Sequence, residues 1–284
     1  MRFLLLVALA AASATPVHAR VWPVSDPMKL QEVVDSAAYG DTVMVAPGRY
    51  KRVVMRSGVK ILSEKGPKET LFKHSTFSLV TADGVDSLAT LEGFTIDGLK
   101  AAEAGIVHAK ESKITLRNCV IQGGWTGVYT EYSDLRVEGC TIRDCQFGLQ
   151  LIEGGGTVTA SDVELCHTGI AIISSNPRIL RNTLTRNSLA IRVQDHSDPQ
   201  IGGTLATANR IWNNPAGAIR NDGLAKREGI RTTQPLTLKV PFNFWGSDCP
   251  DSSLFRGTVE WRPWVDESGK RSIEKCTGSP QKKK

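Results

Sequence analysis

The sequence predicts an all-β chain wound as a single-stranded parallel β-helix, a solenoid with a capping helix at its N-terminal end and an aromatic cap at its C-terminal end. One observation is a glycine or alanine leading into an aliphatic residue at Gly105-Ile106, Gly127-Val128, Gly148-Leu149, Gly169-Ile170, Ala190-Ile191 and Ala218-Ile219, in steps of 22, 21, 21, 21 and 28. A second is the cysteine spacing, because Cys119 to Cys140 and Cys145 to Cys166 are both 21 residues apart. A third is room: two or three short strands fill a unit of that length, leaving none for a helix or a sandwich hairpin.

The chain has 284 residues and begins MRFLLLVALAAASATPVHA, with Arg2, an apolar run from Phe3 to Ala12, and small residues ending at Ala19. This reads as a secretory signal peptide over residues 1–19, cut before Arg20, with Ala14 as a second stop. A periplasmic or secreted protein is expected, without a membrane span, since no other stretch approaches about 18 apolar residues. The remaining chain carries a net charge of +5, against +6 with the leader, which suits an acidic partner such as a uronate polysaccharide as well as a solvated mixed-charge surface.

Residues 20–66 form the N-terminal cap and first coil. Leu30, Val33, Val34 and Ala37 have helical spacing, Gly40-Asp41 breaks the helix, and TVMVAPGRY reads as a strand with a Pro-Gly turn. An amphipathic helix across the first open coil would cover its core and its unpaired edge.

Residues 67–240 form the coils. Around each anchor residues alternate: Val128 and Thr130, Leu149 and Leu151, Ile170 and Ile172, and Ile191 and Val193 face inward, while Tyr129, Gln150, Ala171 and Arg192 face solvent. A second strand precedes each anchor at LEGFTI (91–96), LRNCVI (116–121), VEGCTI (137–142) and ASDVEL (160–165). Stacking puts Cys119 and Cys140 in an inward column with Phe94 and Val163, and Cys145 and Cys166 in a turn column with Gly124, Asn187 and Asn214. Asparagines stacked this way satisfy buried backbone groups. No CxxC occurs among the six cysteines, so these read as packed thiols, and no metal site is expected.

The stretch QDHSDPQIGG (194–203) holds two aspartates and a histidine. Ser175-Asn176-Pro177 precedes Ser197-Asp198-Pro199 by 22 residues, so Asp198 reads as an Asx-type turn residue. Asp195 and His196 have no such twin.

Residues 241–284 form the C-terminal cap and a basic tail. Phe244, Trp245, Trp261 and Trp264 plug the open core or hold a sugar ring, and QKKK reads as a solvated tail. Cys249 and Cys276 lie outside the repeat and are the candidate disulfide of an exported chain.

With these motifs in place, the opening LQEVVDSAAYGDTVMVAPGRY, the coils NCVI…GV, GCTI…GL and GIAIISSNPRILRN, and the closure NFWGS…GTVEWRPW resemble the right-handed parallel β-helix repeat proteins of the pectin-lyase-like superfamily. The resemblance implies right-handed winding across nearly the whole exported chain. It implies no single activity, because the superfamily includes polysaccharide lyases, methylesterases, polygalacturonases, alginate epimerases and periplasmic proteins similar to the copper-site accessory protein of nitrous-oxide reductase. The paired aspartates and Gly-His-Gly of polygalacturonases are absent. Gln194-Asp195-His196 only distantly echoes the Gln-Asp-Thr of methylesterases, and Asp198-Pro199 is followed by Gln200 where epimerases have histidine. No acidic cluster suggests the calcium site of pectate lyases, and the cofactor requirement is unknown.

The outward columns carry the best constellation for chemistry on a uronate. Arg192 would offset a carboxylate, Tyr129 or His167 would move a proton, Trp125 would stack on a ring, and Glu131 and Gln150 would line the groove. Two functions follow. One is an exported protein that binds an acidic polysaccharide or cell-envelope glycan, with or without cleavage by β-elimination or epimerisation. The other is a non-enzymatic periplasmic accessory or surface scaffold that binds a protein or glycan along its solenoid face. Export and the lack of a basic stripe argue against nucleic acid, and a monomer is expected.

Overall fold

The computed structural model describes residues 19–74, 78–99, 105–227 and 230–276. Most of the expected leader and the QKKK tail lie outside the described residues.

Each coil contributes one strand to each of three parallel sheets. Sheet I has nine strands, from Val21–Val24 to Gln200–Ile201; sheet II has eight, from Gly48–Tyr50 to Arg210–Trp212; sheet III, with the longest strands, has eight successive parallel rungs from Val53–Val54 to Gly217–Arg227, the last of which also pairs with Phe255–Arg256 and, antiparallel, with Ile230–Pro235. Parallel pairing of each strand with its counterpart one coil away buries the inward face of each sheet, and the core is a set of columns. Val128, Leu149, Ile170, Ile191 and Ile219 are in register and fully buried. Each such aliphatic contributes roughly 1.5–3 kcal/mol on burial.

The corners explain a difference from the sequence expectation. LRNCVI was expected as one strand, but Thr115–Arg117 belongs to sheet I and Val120–Gln122 to sheet II. Between them Asn118 has φ 50°, and its counterparts Gly93, Gly139, Ala160 and Arg181 have φ between 49° and 81°. A single left-handed residue turns the chain without a loop, and only some of these positions are glycine, so the bend is hidden from composition.

The corner from sheet III to sheet I has its own left-handed column: Glu111, Tyr132, Glu153, Ser174 and Asp195. Asp195 therefore does have a twin in each of the four preceding coils, and it is a corner residue. His196 is the extra residue of its coil; its Nε2 lies 3.0 Å from the carbonyl oxygen of Thr232. Asp198 takes the expected place, its N–H donating to Asn176 Oδ1 at 2.7 Å.

The first cysteine column also differs. Pairing of Val120 with Thr141 and of Thr141 with Asp162 places Phe94, Cys119, Cys140 and Ser161 in line, while Val163 stacks on Ile142. Beyond Ser161 the column continues as a buried ladder. Ser161 N–H donates to Asn182 Oδ1 at 3.0 Å, Asn182 N–H to Asn209 Oδ1 at 2.9 Å, and Asn209 N–H to Asn243 Oδ1 at 3.0 Å. The second column runs as expected, with Cys166 N–H donating to Asn187 Oδ1 and Asn187 N–H to Asn214 Oδ1, both at 3.0 Å. These amides serve backbone groups that the left-handed corners leave unpaired.

Both ends are covered. Helix Leu30–Ser36 buries Leu30 and Val34 over the first coil. At the other end Trp245 packs edge-on to Phe255, which stacks on Trp261 at 5.0 Å, and Trp261 leans on the fully buried Trp264. Cys249 and Cys276 are joined by a disulfide across this cap. The last long strand of sheet III, Gly217–Arg227, runs past the stack and turns back antiparallel as Ile230–Pro235, a hairpin the repeat does not announce.

Candidate functional site

In a solenoid, side chains at the outward positions of one sheet form columns at about the 4.8 Å strand spacing. On sheet III one column reads Thr81, His108, Tyr129, Gln150, Ala171, Arg192, Arg220 and Arg256, fixed by the register of successive strands. The next outward column reads Asp83, Lys110, Glu131, Ile152, Ile173, Gln194 and Asp222. Tyr129, Glu131, Gln150 and Arg192 thus share one face.

The face has three zones. Near its start, Tyr129 donates its hydroxyl to Glu131 at 2.6 Å, and the His108 ring meets Tyr129 edge-on at 5.2 Å. Burial, then this hydrogen bond, then the carboxylate charge push the Tyr129 phenol up to about 12. At neutral pH it holds its proton and can give one but not take one. His108 Nε2 is buried without a hydrogen-bond partner among the described residues.

The middle zone is apolar. Ala171 was expected to face solvent; it stands in the outward column but is only 1 % exposed, its short side chain sunk between its neighbours in the column, Gln150 and Arg192.

The far zone is basic. Arg192 Nε donates to Asp222 Oδ2 at 3.1 Å, and Arg220 Nε donates to the same oxygen at 2.8 Å. Arg220 is paired in register with Arg256 on the following strand. Of the three guanidiniums on adjacent rungs, Arg192 and Arg220 share the Asp222 carboxylate.

Trp125 and His167 stand elsewhere. They belong to the column Trp125, Gln146, His167 and Ser188 at the start of the sheet III strands, four positions before the column of Tyr129. At about 3.3 Å per residue that is roughly 13 Å along the strand. Trp125 is 55 % exposed and His167 is exposed. Tyr129 and Arg192 are three rungs apart, roughly 14 Å, more than one sugar ring spans at its reacting carbons.

A shallow hollow of about 420 Å³ lies on sheet II, lined by Lys68, Leu71, Thr95, Val120 and Arg143 among others. Its polar rim is already engaged, Arg143 donating to Gln122 at 2.9 Å, and it holds no acid–base pair. The sheet III face carries more chemistry. No group of three or more metal-ligating side chains gathers among the described residues.

Sequence reasoning passed over Arg220, Asp222, Arg256 and His108. Arg220 follows the Ala218-Ile219 anchor as Arg192 follows Ala190-Ile191, so the repeat contained that signal. Arg256 gave none, because Phe255–Arg256 reaches the face through the fold of the C-terminal cap.

Residues 58–226 match the family described as "right handed beta helix region". No curated protein matches the chain by sequence. Among solved structures, the chain is similar to the pectate lyase Pel9A, with 12% identity, a TM-score of 0.54, and coverage of 88% of this chain and 79% of that one. It is also similar to an alginate lyase from Paenibacillus sp. str. FPU-7, with 11% identity, a TM-score of 0.41, and coverage of 85% and 99%. A third is the A-module of a mannuronan C-5 epimerase from Azotobacter vinelandii, with 13% identity, a TM-score of 0.41, and coverage of 86% and 91%. At such identities the likeness is one of fold.

Proposed function

Because the chain belongs to the right-handed β-helix family, its outward columns are the surfaces it offers a ligand, and we propose that the sheet III face binds an acidic polysaccharide. The observation that carries this reading is the column Arg192, Arg220, Arg256, in which only Arg192 and Arg220 share a carboxylate, that of Asp222. Guanidinium forks recognise carboxylates in two-point geometry, and a row of them at rung spacing suits a chain that repeats its charge. Gln150 supplies a polar contact on the same column, and Trp125 an exposed ring at the face's edge. The apolar leader and the Cys249–Cys276 disulfide support action outside the cytoplasm.

A second reading, turnover by β-elimination or epimerisation, is favoured by the Tyr129–Glu131 pair. There Tyr129 would be the proton donor and Glu131 the base, with Arg192 holding a neighbouring sugar, and His167 would act on a different unit of the chain. A scaffold that binds a protein through the same face is the competing non-enzymatic reading.

The test is titration of the exported protein with polygalacturonate, alginate and a neutral glucan. Binding to the acidic polymers alone, weakened about tenfold (about 1.4 kcal/mol) by Arg220→Ala, is expected. Equal binding to the neutral polymer, or none to any, defeats the proposal. Ultraviolet absorbance of an unsaturated product in the same samples, lost in Glu131→Gln, would establish the elimination form of the second reading.

A further inference from the structure

Asp41 ends the turn after the capping helix and is 1 % exposed. Its Oδ1 accepts from the backbone nitrogen of Arg20 at 2.7 Å, and its Oδ2 accepts from Trp22 Nε1 at 2.8 Å and from the Ala38 N–H at 2.9 Å. Those donors, the Arg20 nitrogen foremost, hold the carboxyl below the usual carboxylate range. No Lys, Arg or His side chain among the described residues lies within ion-pair distance of it, and the Arg20 guanidinium acts only from further away. A buried carboxylate served by neutral donors alone lacks a counter-charge.

The nitrogen aimed at it belongs to the residue that would follow the leader. Arg20 accepts from Thr42 N–H through its carbonyl at 2.8 Å, and the next residues, Val21–Val24, form the edge strand of sheet I on Thr42–Val45. Residue 20 is therefore fixed on both sides of its α-carbon at the first rung.

We propose that the Ala19–Arg20 peptide bond is a processing site for a leader-removing peptidase, and that the α-ammonium it frees on Arg20 pairs with buried Asp41 to lock the N-terminal cap. In the cut, the oxygen of water adds to the Ala19 carbonyl carbon, the C–N bond breaks, and the nitrogen leaves as an amine. With an ordinary pKa of about 7.7–8.0, that amine takes up a further proton at neutral pH. One neutral N–H becomes three donors and a unit charge at the same place. A cut after Ala14 would leave five residues ahead of Arg20 and no charge at Asp41. The inference rests on the leader reading and not on the glycan reading.

The full chain is expressed for export and the recovered protein weighed by mass spectrometry; a chain starting at Arg20 is expected. Chains released from an N-terminal fusion to start at Arg20 or at Ala19 are then melted, each with Asp41 and with Asp41→Asn. The Arg20 start melts higher with Asp41 present, and the difference closes in Asp41→Asn. By NMR the α-ammonium of Arg20 titrates above its ordinary value, and at its ordinary value in the variant. Should Asp41→Asn fail to fold, the two starts with Asp41 in place and the α-ammonium titration still decide. A mature chain starting elsewhere, or equal melting with an ordinary α-ammonium pKa, overturns the proposal. Glycan binding is untouched by either outcome.

Discussion

Tyr129 and Glu131, two residues apart on one strand of sheet III, are joined by a 2.6 Å hydrogen bond from the phenol to the carboxylate. Burial, and then this bond, keep the proton on Tyr129, whose pKa lies at about 12, above the 10.0 of a free phenol. Tyrosinate absorbance, taken as the difference between the protein and Tyr129→Phe, should appear only as pH approaches 12, and Glu131→Gln should bring it down only part of the way, because the burial remains. Because the folded pKa is the higher one, the contribution to stability is complete below pH 10 and is lost as pH rises through 12. A titration at 10 in the unaltered protein would mean that the pair does not form.

Asp222 divides its charge between Arg192 and Arg220. Asp222→Asn should free both guanidiniums and tighten binding of an acidic polymer several-fold at low salt, with a steeper loss as salt is added. Weaker binding would mean that Asp222 positions the arginines rather than competes for them.

Asn209 takes part in four buried side-chain hydrogen bonds, accepting from Asn182 N–H and Nδ2 and donating to Ile179 O and Asn243 Oδ1. Asn209→Ala leaves buried donors and an acceptor unpaired, at about 1–3 kcal/mol each, and should lower stability by about 3 kcal/mol or more in thermal unfolding. Loss of less than about 1 kcal/mol would mean that water replaces the ladder.

Cys119, Cys140, Cys145 and Cys166 are buried and free, while Cys249 and Cys276 are bonded across 27 residues. The hydrogen bond with Cys140 and burial raise Cys119, and those with Cys145 and burial raise Cys166. A water-soluble thiol reagent should find none of the four in the folded protein and all four after denaturation. Cys276→Ser should cost up to about 3.5 kcal/mol through the loop it opens. Rapid labelling of the native protein would contradict the packing of the stacked thiols.

The sequence by itself determined the solenoid, its period and its capped ends. A 21-residue unit whose anchors are Val128, Leu149, Ile170 and Ile191 can bury them only by stacking, and the helix around Leu30 and Val34 suits only an open end. The tertiary structure decided which side chains meet. Left-handed corners at Ala160 and Arg181 carry no composition signal, so the split of each apparent strand and the alignment of Cys140 with Ser161 were not legible. His196, one residue inserted at a corner, hid the equivalence of Asp195 with Ser174. The site was legible only in part: the column from Tyr129 to Arg192 follows from the repeat, but strand spacing sets Trp125 and His167 apart from it. Asp222 and Arg256 join it through the long last strand and the cap. Short-range order fixes the rung, whereas neighbours in a column are 21 or more residues apart and are chosen by the insertions between them.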